Sequence, residues 1–230
     1  MANEINMEVN KFQDEDRLID SIVDTLISEL EQSVHTNGTA NILLSGGSTP
    51  GPIYKALDKI CAFAKHLKIG LVDERFVASN SEFSNESLIK SCFTKLPSEL
   101  YDICGMVYDI KDEGNNIELL KANYQDFINR TDIVILGMGL DGHTASIFPN
   151  DPQSNEVLSS NEKSVFSTKA PNYPNKRITC SLDMITSASS IYLIISGNEK
   201  LNILENNELS LPIHDVLKKR NDINIYFLAK

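Results

Sequence analysis

Apolar residues along this chain follow two alternating patterns. Short apolar runs bounded by glycine or polar residues read as buried strands. Longer segments with apolar positions three and four apart read as amphipathic helices. EINMEVNKF (4–12) predicts a first strand, and DEDRLIDSIVDTLISELEQSV (14–34) a helix capped by Asp14 or Asp16. TANILLSGG (39–47) predicts a buried strand, and TPGPIYKALDKI (49–60) a helix with Pro50 in its first turn. A strand over HLKIGLVDE (66–74), a helix over SNESLIKSCFTKL (84–96) and a longer helix over NIELLKANYQDFINR (116–130) follow. TDIVILGM (131–138) is the strongest strand, with a short helix after it at most, because Pro149 and NDPQSN (150–155) close the segment. KSVFSTKAP (163–171), KRITCSL (176–182) and SIYLIISG (190–197) predict three more strands. NEKLNILEN (198–206) and PIHDVLKKR (212–220) predict helices, and INIYFLA (223–229) a last strand.

Strand–helix alternation of this kind predicts an α/β fold, a mostly parallel, doubly wound (Rossmann-like) sheet flanked by helices. With no repeat, low-complexity tract or linker, residues 1–230 read as a single domain. In such sheets the functional loops lie at the carboxyl ends of the strands. SGGSTP (45–50), DERFV (73–77), GMGLDGH (137–143) and SGNEK (196–200) should therefore share one edge.

Composition changes this picture in three ways. With 41% apolar and 23% charged residues the chain resembles an ordinary globular protein, and no apolar window approaches the roughly 20 residues of a membrane helix. The polar, acidic opening MANEINMEVNKFQDED lacks the pattern of a signal peptide, so a cytoplasmic location is expected and the four cysteines should be free thiols. A net charge of −11 disfavours nucleic acid as a partner, and it requires any anionic ligand to be held by a local group of cations and backbone N–H groups. The histidines and cysteines form no ligand cluster, so no metal site is expected.

SGGSTP suits an anion. Gly46 and Gly47 let the backbone approach closely, the hydroxyls of Ser45, Ser48 and Thr49 flank them, and a helix N-terminus follows. In the competing reading it is a tight turn with Thr49 as helix cap and Pro50 behind it. Arg75 can grip an oxyanion in bidentate fashion, although a surface ion-pair network is the commoner use of a cluster such as DERFV. Gly137, Gly139 and Gly142 form a literal G-x-G-x-x-G, which on its own would suggest a nicotinamide dinucleotide. That fingerprint needs a helix packed on the sheet, and here Pro149 arrives too soon. Asp141 and His143 are more informative, because a carboxylate beside an imidazole can orient it as a general base. An isolated DGH is more often a loop histidine capping a helix, and it is the shared edge with SGGSTP that favours the catalytic reading. Lys169, Lys176, Arg177 and Lys200 each read as solvated charges, and together could supply the positive potential that an acidic protein lacks.

LSGGSTP, VDERFV, Ser84-Asn85, LGMGLDGHTASIFP, KAP…KRIT and SGNEK occur in that order over nearly the whole chain. In this it resembles the glucosamine-6-phosphate isomerase/6-phosphogluconolactonase family, and more specifically its lactonase branch. The deaminase branch usually reads GIGxDGHIAFNEP and DEY, whereas here Thr144 to Phe148 follow the histidine with no glutamate. The chain departs from the lactonase pattern at Ala78 and Leu140, where proline is frequent, and in SGNEK, which replaces a glycine- and alanine-rich segment.

The resemblance implies hydrolysis of 6-phospho-D-glucono-1,5-lactone, the oxidative pentose phosphate reaction, without metal or cofactor. It implies His143 as general base, Asp141 as its orienting partner and Arg75 on substrate or developing charge. It places the phosphate against Ser45, Gly46, Gly47, Ser48 and Thr49, helped by Arg177 and Lys200. The expected partner is a small sugar-phosphate lactone, bound by a cytoplasmic monomer or small homo-oligomer. Amino-sugar phosphate deamination and a non-catalytic sugar-phosphate sensor are the alternatives.

Overall fold

A computed structural model describes residues 7–58, 64–94, 102–206 and 210–229. Cys61 and parts of the stretches read as helix at 49–60 and 84–96 lie outside these residues. The chain order is β1 (Val9–Phe12), α1 (Glu15–Asn37), β2 (Ala40–Leu44), α2 (Gly51–Leu57), a 3-10 turn (Ala64–His66), β3 (Leu67–Leu71), β4 (Asp73–Arg75), α3 (Asn85–Cys92), β5 (Asp102–Cys104), α4 (Glu113–Asn123) and α5 (Gln125–Asn129). It continues with β6 (Ile133–Leu136), α6 (Pro152–Ser159), β7 (Val165–Lys169), β8 (Lys176–Cys180), α7 (Leu182–Thr186), β9 (Ser190–Ser196), α8 (Asn198–Glu205), α9 (Pro212–Lys219) and β10 (Asn224–Leu228).

Among the described residues, seven strands form one parallel sheet in the order β1-β10-β9-β6-β2-β3-β5. β2 and β6 are buried at every position, as strands covered on both faces must be. From β2 the order runs outward through β3 and β5, and from β6 outward through β9, β10 and β1. The direction of winding therefore reverses between β2 and β6, and a doubly wound sheet opens its ligand crevice at that reversal.

Of the helices covering this sheet, α1 is the best specified by its sequence. Asp14 caps it by accepting from Arg17 N (2.9 Å), Glu15 and Asp16 occupy its positive end, and Gly38 closes it in the left-handed conformation at φ 78°. Leu18, Ile22, Leu26 and Leu30 point inward. Leu26 is fully buried, so Leu26→Ala should cost about 3 kcal/mol of stability, through the apolar burial lost and the cavity left behind, measurable by chemical denaturation.

The structure departs from the sequence reading in several places. The strand read over 66–74 is two strands. The chain leaves the parallel sheet at Val72, whose N–H donates to Leu44 O (2.9 Å) while its carbonyl accepts from Cys180 N (2.9 Å). β4 then pairs antiparallel with β8, and β8 with β7, forming a separate three-stranded sheet. The helix read over 116–130 breaks at Tyr124, whose buried hydroxyl accepts from Leu71 N (2.8 Å). The segment read as closing after Pro149 contains α6, which Asp151 caps by accepting from Ser154 N (2.9 Å), with Pro152 in its first turn. Pro50 precedes α2, and Pro52 takes the first-turn position assigned to it. Neither Thr49 nor Pro50 makes a side-chain cap, because residues 48–50 form a turn of their own.

Candidate active site

The loops after β2 and β6 separate at the reversal of winding, and the small sheet closes a third side. Together they enclose a cleft of about 390 Å³, within the usual range for a small-molecule site. Every predicted site residue lines it: Ser45, Gly46, Gly47, Ser48, Thr49, Arg75, Asp141, His143, Arg177 and Lys200. Lys169 and Lys176 do not. Lys176 instead pairs with Glu113 (2.9 Å) and lies over the Phe76 ring, so the expected group of cations reduces to Arg75, Arg177 and Lys200.

The loop after β6 is held by its own backbone. Gly139 N donates to His143 O (2.9 Å), Gly142 N to Gly139 O (3.1 Å), and Thr144 Oγ1 to Gly137 O (2.9 Å). No helix follows until Pro152, so the dinucleotide reading of the three glycines lacks its essential part. Gly139 serves the imidazole instead. A Cβ on Gly139 would lie 2.3 Å from the His143 ring, so only glycine lets that ring fold back over the loop. Gly142 has φ 77°, which side-chain-bearing residues rarely adopt.

His143 Nδ1 lies 2.5 Å from Asp141 Oδ1, and the same oxygen accepts from His143 N (3.2 Å). Donation from His143 holds the Asp141 carboxyl below the ordinary carboxylate range. With Nδ1 donating to a carboxylate, the neutral ring carries its lone pair on Nε2. The ring packs against Phe148, with centroids 4.7 Å apart. The geometry is that of a general base oriented by a neighbouring carboxylate.

Opposite this loop, the antiparallel register of β4 and β8 sets Arg75 directly across from Arg177. Like charges so placed repel, and each is steadied by a carbonyl: Arg75 Nη1 donates to Phe83 O (2.6 Å), and Arg177 Nε to Pro174 O (2.8 Å). Burial, reinforced by the Arg75 cation, pushes the Arg177 pKa down. Neither guanidinium is ion-paired among the described residues, and Arg75 Nε is buried without a partner. Unused positive charge has thus been concentrated where an acidic protein needs it. Lys200, in the first turn of α8, adds a third cation, and burial lowers its pKa.

Asp73 and Asn85 belong to the cleft although neither was assigned a role from sequence. Asn85 Nδ2 donates to Asp73 O (2.9 Å), and Asn85 Oδ1 is left buried and unpartnered. Gly46 makes this approach possible, since a Cβ there would meet Asn85 Oδ1 at 1.9 Å. Ser45 Oγ is likewise buried without a partner. Buried polar atoms seldom go unsatisfied, and these two, with Arg75 Nε, belong to residues lining one cleft, as groups awaiting a polar ligand would. Asp73 Oδ2 accepts from Ser146 Oγ (2.6 Å). The available signal was the pair Ser84-Asn85 within an ordered set of motifs, but the pairing itself joins β4 to α3 across a loop.

Glu74 faces away from the cleft. It accepts from the backbone N–H groups of Arg75 (2.7 Å), Asn85 (2.7 Å) and Glu86 (2.8 Å) and from Ser84 Oγ (2.9 Å), fixing the start of α3 and so the place of Asn85. Its burial raises its pKa against the pull of these donors. Among the described residues no cluster of histidine, cysteine, aspartate and glutamate could hold a metal ion, and no helix is long and apolar enough to cross a membrane.

Residues 13–223 match the family described as glucosamine-6-phosphate isomerases/6-phosphogluconolactonase. A 6-phosphogluconolactonase of Helicobacter pylori is 31% identical over 205 residues, covering 83% of this chain and 84% of its own. One from Neisseria meningitidis is 30% identical over 190 residues, covering 80% and 81%. The crystal structure of a 6-phosphogluconolactonase from Shewanella baltica superposes with a TM-score of 0.90 at 26% identity, covering 98% of each chain. Shared sequence over the whole fold and a shared architecture lead to one assignment: the chain belongs to the glucosamine-6-phosphate isomerase/6-phosphogluconolactonase family.

Proposed function

We propose that the protein hydrolyses 6-phospho-D-glucono-1,5-lactone to 6-phospho-D-gluconate, the lactonase step of the oxidative pentose phosphate pathway. The observation that carries this reading is the His143–Asp141 pair facing two unpaired guanidinia across one cleft. His143 Nε2 takes a proton from water as its oxygen attacks the lactone carbonyl, giving a tetrahedral oxyanion. The oxyanion collapses with cleavage of the bond to the ring oxygen, and His143 returns the proton to that oxygen. Asp141 keeps the ring in the required tautomer and stabilises its cationic form. Arg75 neutralises substrate or developing charge, and the phosphate rests against Ser45, Gly46, Gly47, Ser48 and Thr49 with Arg177 and Lys200. No step calls for a metal or cofactor.

The relatives named as lactonases and the sequence Thr144-Ala145-Ser146-Ile147-Phe148 after the histidine favour lactone hydrolysis over amino-sugar deamination. We further infer that the enzyme works in the cytoplasm as a monomer or small homo-oligomer, without nucleic acid. A rapid coupled assay on freshly generated lactone tests the reading. Hydrolysis must exceed the spontaneous rate, and ammonia must not appear from glucosamine 6-phosphate; the reverse result would move the protein to the deaminase branch.

Lys200 sets a pH dependence. Burial makes its ammonium lose its proton at lower pH than an ordinary lysine. Its attraction for the phosphate is complete below that pKa and fades as pH rises through it. KM should therefore climb on the alkaline side, and Lys200→Ala should raise KM at neutral pH and flatten that limb. An unchanged limb in the variant would assign it to another group.

A further inference from the structure

One buried histidine takes no part in this chemistry. His214, in the first turn of α9, is 1% exposed, and both its ring nitrogens are used. Nδ1 accepts from Leu211 N (3.3 Å), and Nε2 donates to Ile203 O (3.1 Å) in α8. With Leu211 N–H as donor to Nδ1, the tautomer is fixed as Nε2–H. The ring thus completes a reciprocal cap at the start of α9, since His214 N also donates to Leu211 O (2.8 Å), and at the same time it ties α9 to α8.

Both ends of this connection reach the cleft. On one side, Ile203 lies one turn beyond Lys200 on the same helix. On the other, Ile213 N donates to Gly142 O (3.1 Å), between Asp141 and His143 in sequence. Leu211 packs so closely on Gly142 that a Cβ there would meet its side chain at 2.5 Å. The cap that orders Leu211 and Ile213 therefore sets where the base loop rests.

We propose that His214 is a positioning residue, holding the helix that carries Lys200 and the loop that carries Asp141 and His143 in one fixed relation. This rests on the lactonase reading for its kinetic consequences. Its ring is well suited to the task, because one rigid planar group accepts on one side and donates on the other. A glutamine can reproduce both bonds, an asparagine reaches only the cap, and a leucine fills the space and makes neither.

Three variants therefore separate the parts of the connection. His214→Gln should keep kcat and KM within about twofold of the parent, since both hydrogen bonds survive. His214→Asn should keep kcat but raise KM several-fold, because only the link to the Lys200 helix is cut. His214→Leu, assayed at a temperature where circular dichroism shows it folded, should lose about tenfold to a hundredfold in kcat, the scale of a misplaced catalytic group. The ring resonances of His143 in the unliganded protein should move in the leucine variant and stay in place in the glutamine variant. If the leucine variant does not fold, the glutamine and asparagine variants decide the matter through KM alone. Parental kcat in folded His214→Leu, a glutamine variant as impaired as the leucine one, or an asparagine variant that loses kcat rather than raising KM would each overturn the proposal. A parent enzyme that does not hydrolyse the lactone would overturn the lactonase reading instead, and the His143 resonances would still report on His214.

Discussion

Replacing His143 with alanine is expected to lower kcat for lactone hydrolysis by roughly 10²–10⁴-fold, the usual contribution of a positioned general base. The melting temperature should hardly change, because the imidazole sits at the mouth of the cleft and its side chain remains 33% exposed. Binding of 6-phosphogluconate should also persist, since the cations proposed to hold it come from β4, β8 and α8. Calorimetric titration and a rapid assay that subtracts spontaneous hydrolysis separate the two effects. Asp141→Asn offers a stricter test of the same idea. An amide in place of the carboxylate can donate to Nδ1, which moves the ring proton to Nε2 and removes the lone pair from the cleft. Its kcat should fall with KM little changed. A His143→Ala enzyme of full activity would end the mechanism.

The second large effect is expected at Arg75. Its Nε is buried without a partner and its charge is not neutralised among the described residues, so its contacts become complete only with an anion bound. Hydrogen bonds to a charged group are worth about 1.5–3 kcal/mol, so Arg75→Ala should reduce kcat/KM by roughly 10- to 150-fold. Stability should move in the opposite sense or remain level, because the variant removes the repulsion between Arg75 and Arg177 while losing one bond to Phe83 O. Paired measurements of thermal melting and steady-state kinetics would show the two trends diverging. A double variant with Arg177→Ala should lose less than the product of the single losses, since the two guanidinia act on one ligand. Unchanged kcat/KM in Arg75→Ala would remove this residue from contact with the substrate.

The sequence carries these residues unevenly. Ser45 to Thr49 and Gly137 to His143 follow largely apolar, fully buried strands, so the apolar runs place both loops at strand ends, and adjacency of β2 and β6 then brings them together. Asp141 and His143 are two residues apart, and their hydrogen bond is nearly local. Arg75 and Arg177 are separated by more than a hundred residues, and only the register of β4 against β8 makes them a pair. Nothing in DERFV announces that its strand has left one sheet for another, because Val72 is apolar and continues the pattern of β3. Asn85 falls within the ordered motifs, but its importance comes from Gly46, whose missing side chain is what admits it. Helix α6 was hidden by Pro152 and a polar first turn, features that serve equally well to start a helix or to end one. His214 gave no signal at all, since a histidine near a helix start is ordinary until its two neighbours in space are known.

The departure of the chain at Val72 has a consequence for how such an enzyme can be altered. The proposed base is mounted on the large parallel sheet, and two of the three cleft cations on the small antiparallel one; hydrogen bonds through Val72 help join them. The two sheets also meet at Ser146, just beyond the base loop, whose Oγ donates to Asp73 Oδ2 in β4 (2.6 Å) and whose carbonyl accepts from Thr168 Oγ1 in β7 (2.6 Å). Recognition and proton transfer are therefore coupled. A substitution in the β7–β8 hairpin that disturbs Thr168 would shift the loop of Asp141 and His143 as well as Arg177, so a change in the accepted anion would come with a change in turnover.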